Sequence, residues 1–468
     1  MAERAAELQQ SLARVLSQLA GHEVAVSSLV QLSGGASKES WAFALLDGAQ
    51  ARPLILRRDP PGAAVGIPAR IEHAVLDAVC DAGVPAPRVL WSGAVAEWDG
   101  ATFTVMERVD GETLAPRILR DPAYTAARAV LLQHCADALA RIHSVAPPAV
   151  APPLQVRSVV QLVDEVEAML DAAPDPHPVF ELALRWLRAN PPPAQPPALV
   201  HADFRMGNLV VGPEGLRAVL DWELSHVGDP VRDLGYFCVR SWRFGVDDKP
   251  AGGLGSREQL VAAYRAAGGR DVDMEALRYW EVYGTTVWGV QTTYLAQQFL
   301  RHGIRSVELA AIGRRAVEME HDVLALLTDR DAAPPSDVPA HTRATTQDRP
   351  DAAELLSVTA DFLQQEVMPQ LDGRLGFHVR VAANVLRIVE REVSLGPQHE
   401  AADRAGLSRI LGGGDDIAAM RAELARRIRA GELDGSPEVL DFLLASTARR
   451  LAVANPRHLR GHAAARLV

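Results

Sequence analysis

Lysine is almost missing from this 468-residue chain. Lys38 and Lys249 are the only two among 48 basic residues, so any task that needs a cation falls almost entirely to arginine. Cysteine is scarce too: Cys80, Cys135 and Cys238 lie far apart, with no CxxC pair and no histidine pattern beside them. That excludes a disulfide scaffold and a zinc knuckle and suits a reducing cytosol. No run of about 18 apolar residues occurs, so no membrane span is expected. The N-terminal MAERAAELQQSLARVLSQL reads as an amphipathic helix and lacks the unbroken apolar core of a signal peptide. A net charge of −11 argues against broad binding to nucleic acid or anionic membrane, while leaving room for a local basic pocket. What is plentiful is the material of globular domains, 48% hydrophobic and 23% charged residues, at a length that suggests two or three domains. The expectation is a soluble, cytoplasmic protein.

Residues 22–58 read as strands, with apolar runs separated by glycine-bearing turns, and Ser33-Gly34-Gly35-Ala36-Ser37-Lys38 joins two of them. A helix is predicted over 68–82, started by Pro68 and ended by Gly83, with Ile71, Val75 and Val79 at helical spacing. Two more strands are predicted near 88–92 and 102–106. After Gly111 the pattern turns helical at 126–143, 158–171 and 178–189, until NPPPAQPP at 190–197 breaks the series. Short strands at 198–201, 208–211 and 217–221 follow, the last two facing each other across Gly212-Pro213-Glu214-Gly215, and helices resume from about 230 to 328. The polar, proline-bearing stretch 329–351 reads as a linker. Helices are predicted beyond it at 352–370, 375–394, 400–410, 416–431 and 436–453.

The chemistry concentrates in His201-Ala202-Asp203-Phe204-Arg205-Met206-Gly207-Asn208, followed by Asp221-Trp222-Glu223. Asp203 and Asn208 sit five apart on a loop, with Asp221 at a strand end 18 residues beyond Asp203. Phosphoryl transfer asks for such a set: one carboxylate orients the attacking hydroxyl, while an amide and a second carboxylate hold a divalent metal against the phosphates. The HxDxxxxN pattern, the spaced Asp and the following GDPVRDLG resemble the aminoglycoside phosphotransferase/choline kinase-like family, distant relatives of protein kinases. The resemblance spans about residues 22–325. It implies an α+β, two-lobed protein-kinase-like fold: an N-lobe over 1–108 and a C-lobe over 109–328. The linker 329–351 and an all-α domain over 352–468 would follow.

It also implies roles. Asp203 would orient or deprotonate the acceptor hydroxyl, and Asn208 and Asp221 would ligate Mg²⁺. Arg205 would touch phosphate or pair with a neighbouring acid, and His201 would brace the loop or act as a second base. Asp229 and Asp233 would support the loop. Gly34 and Gly35 would let backbone amides approach the phosphates of ATP. Arg57 stands where the antibiotic kinases carry lysine, and Glu72, on the inward face with Leu76 and Val79, is its expected partner. Lys38 is read as a solvated turn lysine, with a second phosphate contact as the alternative. Met106, Glu107 and Arg108 match the hinge whose backbone would read the nucleotide base, with ATP or GTP left open. Trp280, Tyr283, Trp288, Tyr294 and Phe299 are read as helical core or acceptor-pocket lining, and Glu308, Glu318, Glu320 and Asp322 as acids that could serve an acceptor.

Leu56-Arg57-Arg58-Asp59-Pro60-Pro61-Gly62 with Asp221-Trp222-Glu223 resembles the branch fused to acyl-CoA dehydrogenases, which implies a hydroxyacyl-CoA-like acceptor. The reading is thus an ATP- and Mg²⁺-dependent kinase acting on a small-molecule hydroxyl. The alternative is a nucleotide-binding pseudokinase working through its C-terminal helices, where a homodimer contact is one role left open.

Overall fold

The computed structural model describes residues 2–32, 38–59, 66–98, 100–146, 150, 153–301, 303, 305–330 and 350–459. The chain divides into two compact units. The first holds Met1–Ser158, Pro193–Cys238 and Trp242–Leu277; the second holds Val159–Pro192, Val239–Ser241 and Arg278–Val468.

The first unit begins with α1 (Ala2–Ala20), whose Leu8, Leu12 and Leu16 recur at helical spacing and are buried in one core with β1. The strands β1 (Ala25–Gln31), β2 (Glu39–Asp47), β3 (Gln50–Arg58), β4 (Val89–Ala94) and β5 (Thr102–Glu107) form an antiparallel sheet in the order β1-β2-β3-β5-β4. Along β3, Leu54 and Leu56 are fully buried in the core shared with α1, so the pleat turns Arg57 to the other face. Helix α2 (Ala69–Asp81) follows Pro68 and buries Glu72, Val75, Leu76 and Val79. Helices α3 (Ala115–Arg120) and α4 (Thr125–Ser144) follow. The chain then crosses to the second unit for α5 (Val159–Asp171) and α6 (Pro178–Ala189). It returns with β6 (Ala198–Val200), the hairpin β7 (Leu209–Gly212)–β8 (Gly215–Val219) and β9 (His226–Gly228), which pairs with β6, then α7 (Val231–Cys238) and α8 (Arg257–Ala266).

The second unit is helical. It adds α9 (Met274–Leu300, from Arg278 onward), α10 (Val307–Ile312), α11 (Ala316–Thr328), α12 (Ala352–Phe362), α13 (Gly373–Leu411), α14 (Ile417–Ala430) and α15 (Pro437–Ala454). One core joins Ala183 of α6, Val323 and Leu324 of α11, Leu407 of α13, Leu424 of α14 and Leu451 of α15. The terminal helices therefore bury their apolar faces against helices that precede residue 329.

Two helices expected at 375–394 and 400–410 are a single one. α13 runs 39 residues straight through Pro397. An interior proline removes a hydrogen bond and costs about 3 kcal/mol. Packing of α12, α14 and α15 along α13 offsets that loss. Close approach is helped at Gly406, where a Cβ would stand 2.5 Å from the Phe442 ring.

Glu320, fully buried, is held by His177 Nδ1 at 2.7 Å and by Arg450. Burial alone would raise its pKa, but the Arg450 and His177 charges win and hold it at about 2, against the ordinary 4.5. A depressed carboxylate contributes stability that is complete above pH 4.5 and drains away as pH falls toward 2. Glu320→Gln should therefore lower stability by about 3 kcal/mol near neutrality. In thermal melts the gap from wild type should narrow below pH 4.5; a gap that stays constant from pH 6 to pH 3 would refute the assignment.

Candidate active site

The loop between β6 and β7 is anchored from beneath. Asp233, fully buried in α7, accepts the backbone N–H groups of His201 and Ala202 at 2.8 Å each and faces His143 Nε2 at 3.1 Å. Burial would raise its pKa, but His143 and those N–H donors hold it below the ordinary carboxylate value. Asp229 caps α7 by accepting Val231 N–H at 2.9 Å. His201, also fully buried, sits 3.0 Å through Nε2 from the Leu220 carbonyl and 3.2 Å through Nδ1 from the Asp203 N–H. Its ring lies 4.5 Å from that of Trp222. Both nitrogens are committed to backbone, so His201 braces the loop. Ala202 (φ 71°) and Asp221 (φ 68°) both adopt the left-handed region. Each costs about 1–3 kcal/mol for a non-glycine residue, and the bonds just described hold them there.

Three donors converge on the Asp203 carboxylate: Asn208 Nδ2 at 2.6 Å, Arg205 Nε at 3.1 Å, and the Tyr236 hydroxyl. Asn208 Nδ2 also reaches the Asp203 carbonyl at 2.9 Å. Arg205 lies under Trp242, 4.8 Å from guanidinium to ring centre. Here the salt bridge to an adjacent acid is the interaction made.

Asp221 is placed through its neighbour. The Leu220 N–H donates to the Asn208 carbonyl at 2.8 Å while the Leu220 carbonyl faces His201, so the Asp203 loop and the end of β8 are one construction. Arg57 donates through Nη1 to Glu72 Oε1 at 2.8 Å and through Nη2 to Asp221 Oδ1 at 2.6 Å, with Glu223 at 3.3 Å. Burial would raise the Asp221 pKa, but Arg57 pulls it below the ordinary value.

Lys38 is not solvated. It is 7% exposed, its Nζ 2.7 Å from the second Glu72 oxygen and within 4 Å of Glu223 and Asp59. Glu72 thus bridges both cations, and the three carboxylates gathered round Lys38 hold it out of solvent. Glu223 is a site residue that the sequence reading left without a role. The carboxylates Asp59, Glu72, Asp221 and Glu223 face the cations Lys38 and Arg57, so acids outnumber the cations they touch. Asn208 Oδ1 and Asp221 Oδ2 accept no hydrogen bond among the described residues. Hard oxygen donors in an acidic cluster fit a divalent cation such as Mg²⁺.

Residues 28–280, more than half of the chain, match the model of the APH phosphotransferase enzyme family. The chain belongs to that family. Residues 369–458 match a domain of unknown function (DUF6285). It is 31% identical over 250 residues to acyl-CoA dehydrogenase family member 10 of Mus musculus, covering 49% of this chain and 22% of that protein. With member 11 of Rattus norvegicus it shares 28% over 373 residues, covering 74% and 46%. The chain thus spans less than half the length of these relatives, which are of the branch expected from the 56–62 and 221–223 segments. A solved protein of Ralstonia eutropha JMP134 assigned to the aminoglycoside phosphotransferases superposes with TM-score 0.52 at 21% identity, over 66% of this chain and 95% of that one. The fold is therefore the expected kinase-like one, a sheet-bearing lobe and a helical remainder with a helical C-terminal region.

The other residues expected at the site are placed as follows. Gly34 and Gly35 lie outside the described residues. Met106 and Glu107 end β5 and Arg108 follows; the N–H of Glu107 donates to the Arg88 carbonyl at 2.9 Å, and that of Arg108 to Pro53 at 3.3 Å, so the sheet already uses both donors. Trp280 and Tyr283 are core, and Tyr294 is half exposed. The suggested acceptor acids are mostly spent: Glu318 pairs with Arg315 and Asn455, Glu320 as above, and Asp322 with Arg240 and His458. Glu308 sits in the first turn of α10.

Proposed function

We propose that the chain transfers the γ-phosphoryl group of ATP to a hydroxyl of a small molecule, with Mg²⁺ as the metal. The observation that carries this reading is the joining of Asp203, Asn208 and Asp221 into one hydrogen-bonded construction, with open oxygens on the last two. Asn208 and Asp221 would hold the metal, which supplies charge neutralisation on the phosphates. The Asp203 carboxylate, aimed by Asn208, Arg205 and Tyr236, accepts the hydrogen bond of the acceptor hydroxyl and takes its proton. Arg57 and Lys38, steadied by Glu72, present cations toward the phosphates, and Arg205 is positioned to share that work. The kinship with acyl-CoA dehydrogenase family members favours a hydroxyacyl-CoA-like acceptor over an antibiotic.

One contact favours the second reading, a nucleotide-binding regulatory module acting through the C-terminal helices: Arg57 already occupies one oxygen of Asp221. The deciding experiment is mass-spectrometric detection of a phosphorylated product from Mg·ATP and a pool of hydroxyacyl-CoAs, aminoglycosides, amino alcohols and sugars. Asp221→Ala should abolish the product and weaken Mg²⁺-dependent nucleotide binding at least about tenfold. Equal ATP affinity with and without Mg²⁺ in the unaltered chain would overturn the metal assignment. Nucleotide binding with no product from any class would favour the regulatory reading.

A further inference from the structure

The second unit contains a cleft of about 700 Å³, walled by α9, α10 and α11 on one side and by α13, α14 and α15 on the other. That volume suits a small organic molecule. Part of its lining is apolar, including Phe299, Leu300 and Val317. The rest is charged, and nearly all of that charge is spent. Arg314 pairs with Glu392, Glu400 with Arg404, Asp403 with Arg449, and Arg450 with Glu320.

Two lining groups are left over. Arg421 makes no ion pair or hydrogen bond among the described residues, and burial together with the nearby charge of Arg450 pulls its pKa below the ordinary guanidinium value. Asp175, exposed on the lining, is the remaining acid, and no ion pair joins it to Arg421. His399 is 8% exposed, and neither ring nitrogen has a hydrogen-bond partner. Burial and Arg449 lower its pKa, so it stands as a neutral imidazole with one donor and one acceptor unused. Buried polar groups are normally satisfied, and the half-buried Arg421, although the charges of Glu320, Asp403 and Asp175 act on it, makes no direct contact with any of them among the described residues. Two such groups opening on one cleft mark a ligand by the bonds it would complete.

We infer that this cleft binds a monocarboxylate with an apolar body, its carboxylate on Arg421 and His399 and its chain along Phe299, Leu300 and Val317. The open donors select the head group. A guanidinium whose N–H groups have no partner among the described residues, beside an imidazole that can donate one more, matches the paired oxygens of a carboxylate. The inference is independent of the phosphotransfer reading, since no residue of the Asp203 site enters it.

Gly396 supplies a clean way to fill the cleft. It lines the cleft within α13, and a Cβ built there meets nothing nearer than 4.0 Å. The full chain is titrated calorimetrically with octanoate, with octanol and acetate as probes lacking the charge or the chain. Expected are saturable 1:1 octanoate binding, at least about tenfold weaker binding of either control, and a similar loss in Arg421→Gln. Because Arg421 makes no ion pair or hydrogen bond among the described residues, Arg421→Gln should melt no lower than wild type. Gly396→Leu should remove binding with its melting temperature kept or raised. Octanol binding as tightly as octanoate, absence of saturation up to about 10 mM, or unchanged affinity in Arg421→Gln would each overturn the inference. So would a marked drop in the melting temperature of Arg421→Gln, because the cation would then be serving the fold.

Discussion

Asp203→Asn should lower turnover by about 10²- to 10⁴-fold while Mg·ATP affinity changes only a few-fold. The side chain keeps its size, so the loop anchored by Asp233 and His201 should stand. What changes is the acceptor set. Asn208 Nδ2, Arg205 Nε and the Tyr236 hydroxyl all point at this one carboxylate. An amide offers a single acceptor oxygen and turns a donor NH₂ toward one of those three, so the hydroxyl loses both its proton acceptor and its orientation. None of these groups is proposed to grip nucleotide through Asp203, which is why affinity should survive. Single-turnover kinetics with nucleotide binding measured in parallel would separate the two. Unchanged turnover would remove Asp203 from the mechanism.

The second large effect is expected at the ion cluster. Arg57→Met leaves Glu72, Asp221 and Glu223 facing one another with Lys38 alone, and Glu72→Gln takes from Lys38 and Arg57 the buried carboxylate that bridges them. Each should cost about 3–5 kcal/mol of stability, the penalty for removing one partner from a buried pair. ATP affinity should fall by at least about tenfold in each. Because both substitutions break the same contact, the double variant should lose less than the sum, with a coupling above about 1 kcal/mol. Strict additivity in denaturant melts and in nucleotide affinity would mean that Arg57 and Glu72 act independently. Lys38→Met probes the shared corner, and its effect should shrink once Glu72 is gone.

Local pattern carried much of this cluster. Alternation along β3 turns Arg57 away from the Leu54 and Leu56 core, and the phase of α2 puts Glu72 with Leu76 and Val79, so their meeting was legible from two short segments. The spacing of Asp203, Asn208 and Asp221 is likewise written in one stretch of chain. Lys38 was not legible, since a lone lysine after a run of small residues looks solvated until Glu72, Asp59 and Glu223 arrive from three other segments. The same holds for Tyr236 and Trp242 about the Asp203–Arg205 pair. Gly396-Pro397 has the local signature of a break, and only tertiary packing carries α13 across it. Glu320 and Asp322 looked like surface acids because nothing near them in sequence announces His177, Arg240, Arg450 or His458.

The near absence of lysine has a practical corollary. An acylating reagent would meet two side-chain amines in this sequence: Lys249, which is exposed, and Lys38, which is locked between carboxylates. Lys249, open to solvent, would react directly, and Lys38 only in the moments when the Glu72 cluster comes apart. The ratio of the two labels, read by peptide mass, is then a built-in clock for how often this cluster opens, with each molecule carrying its own reference.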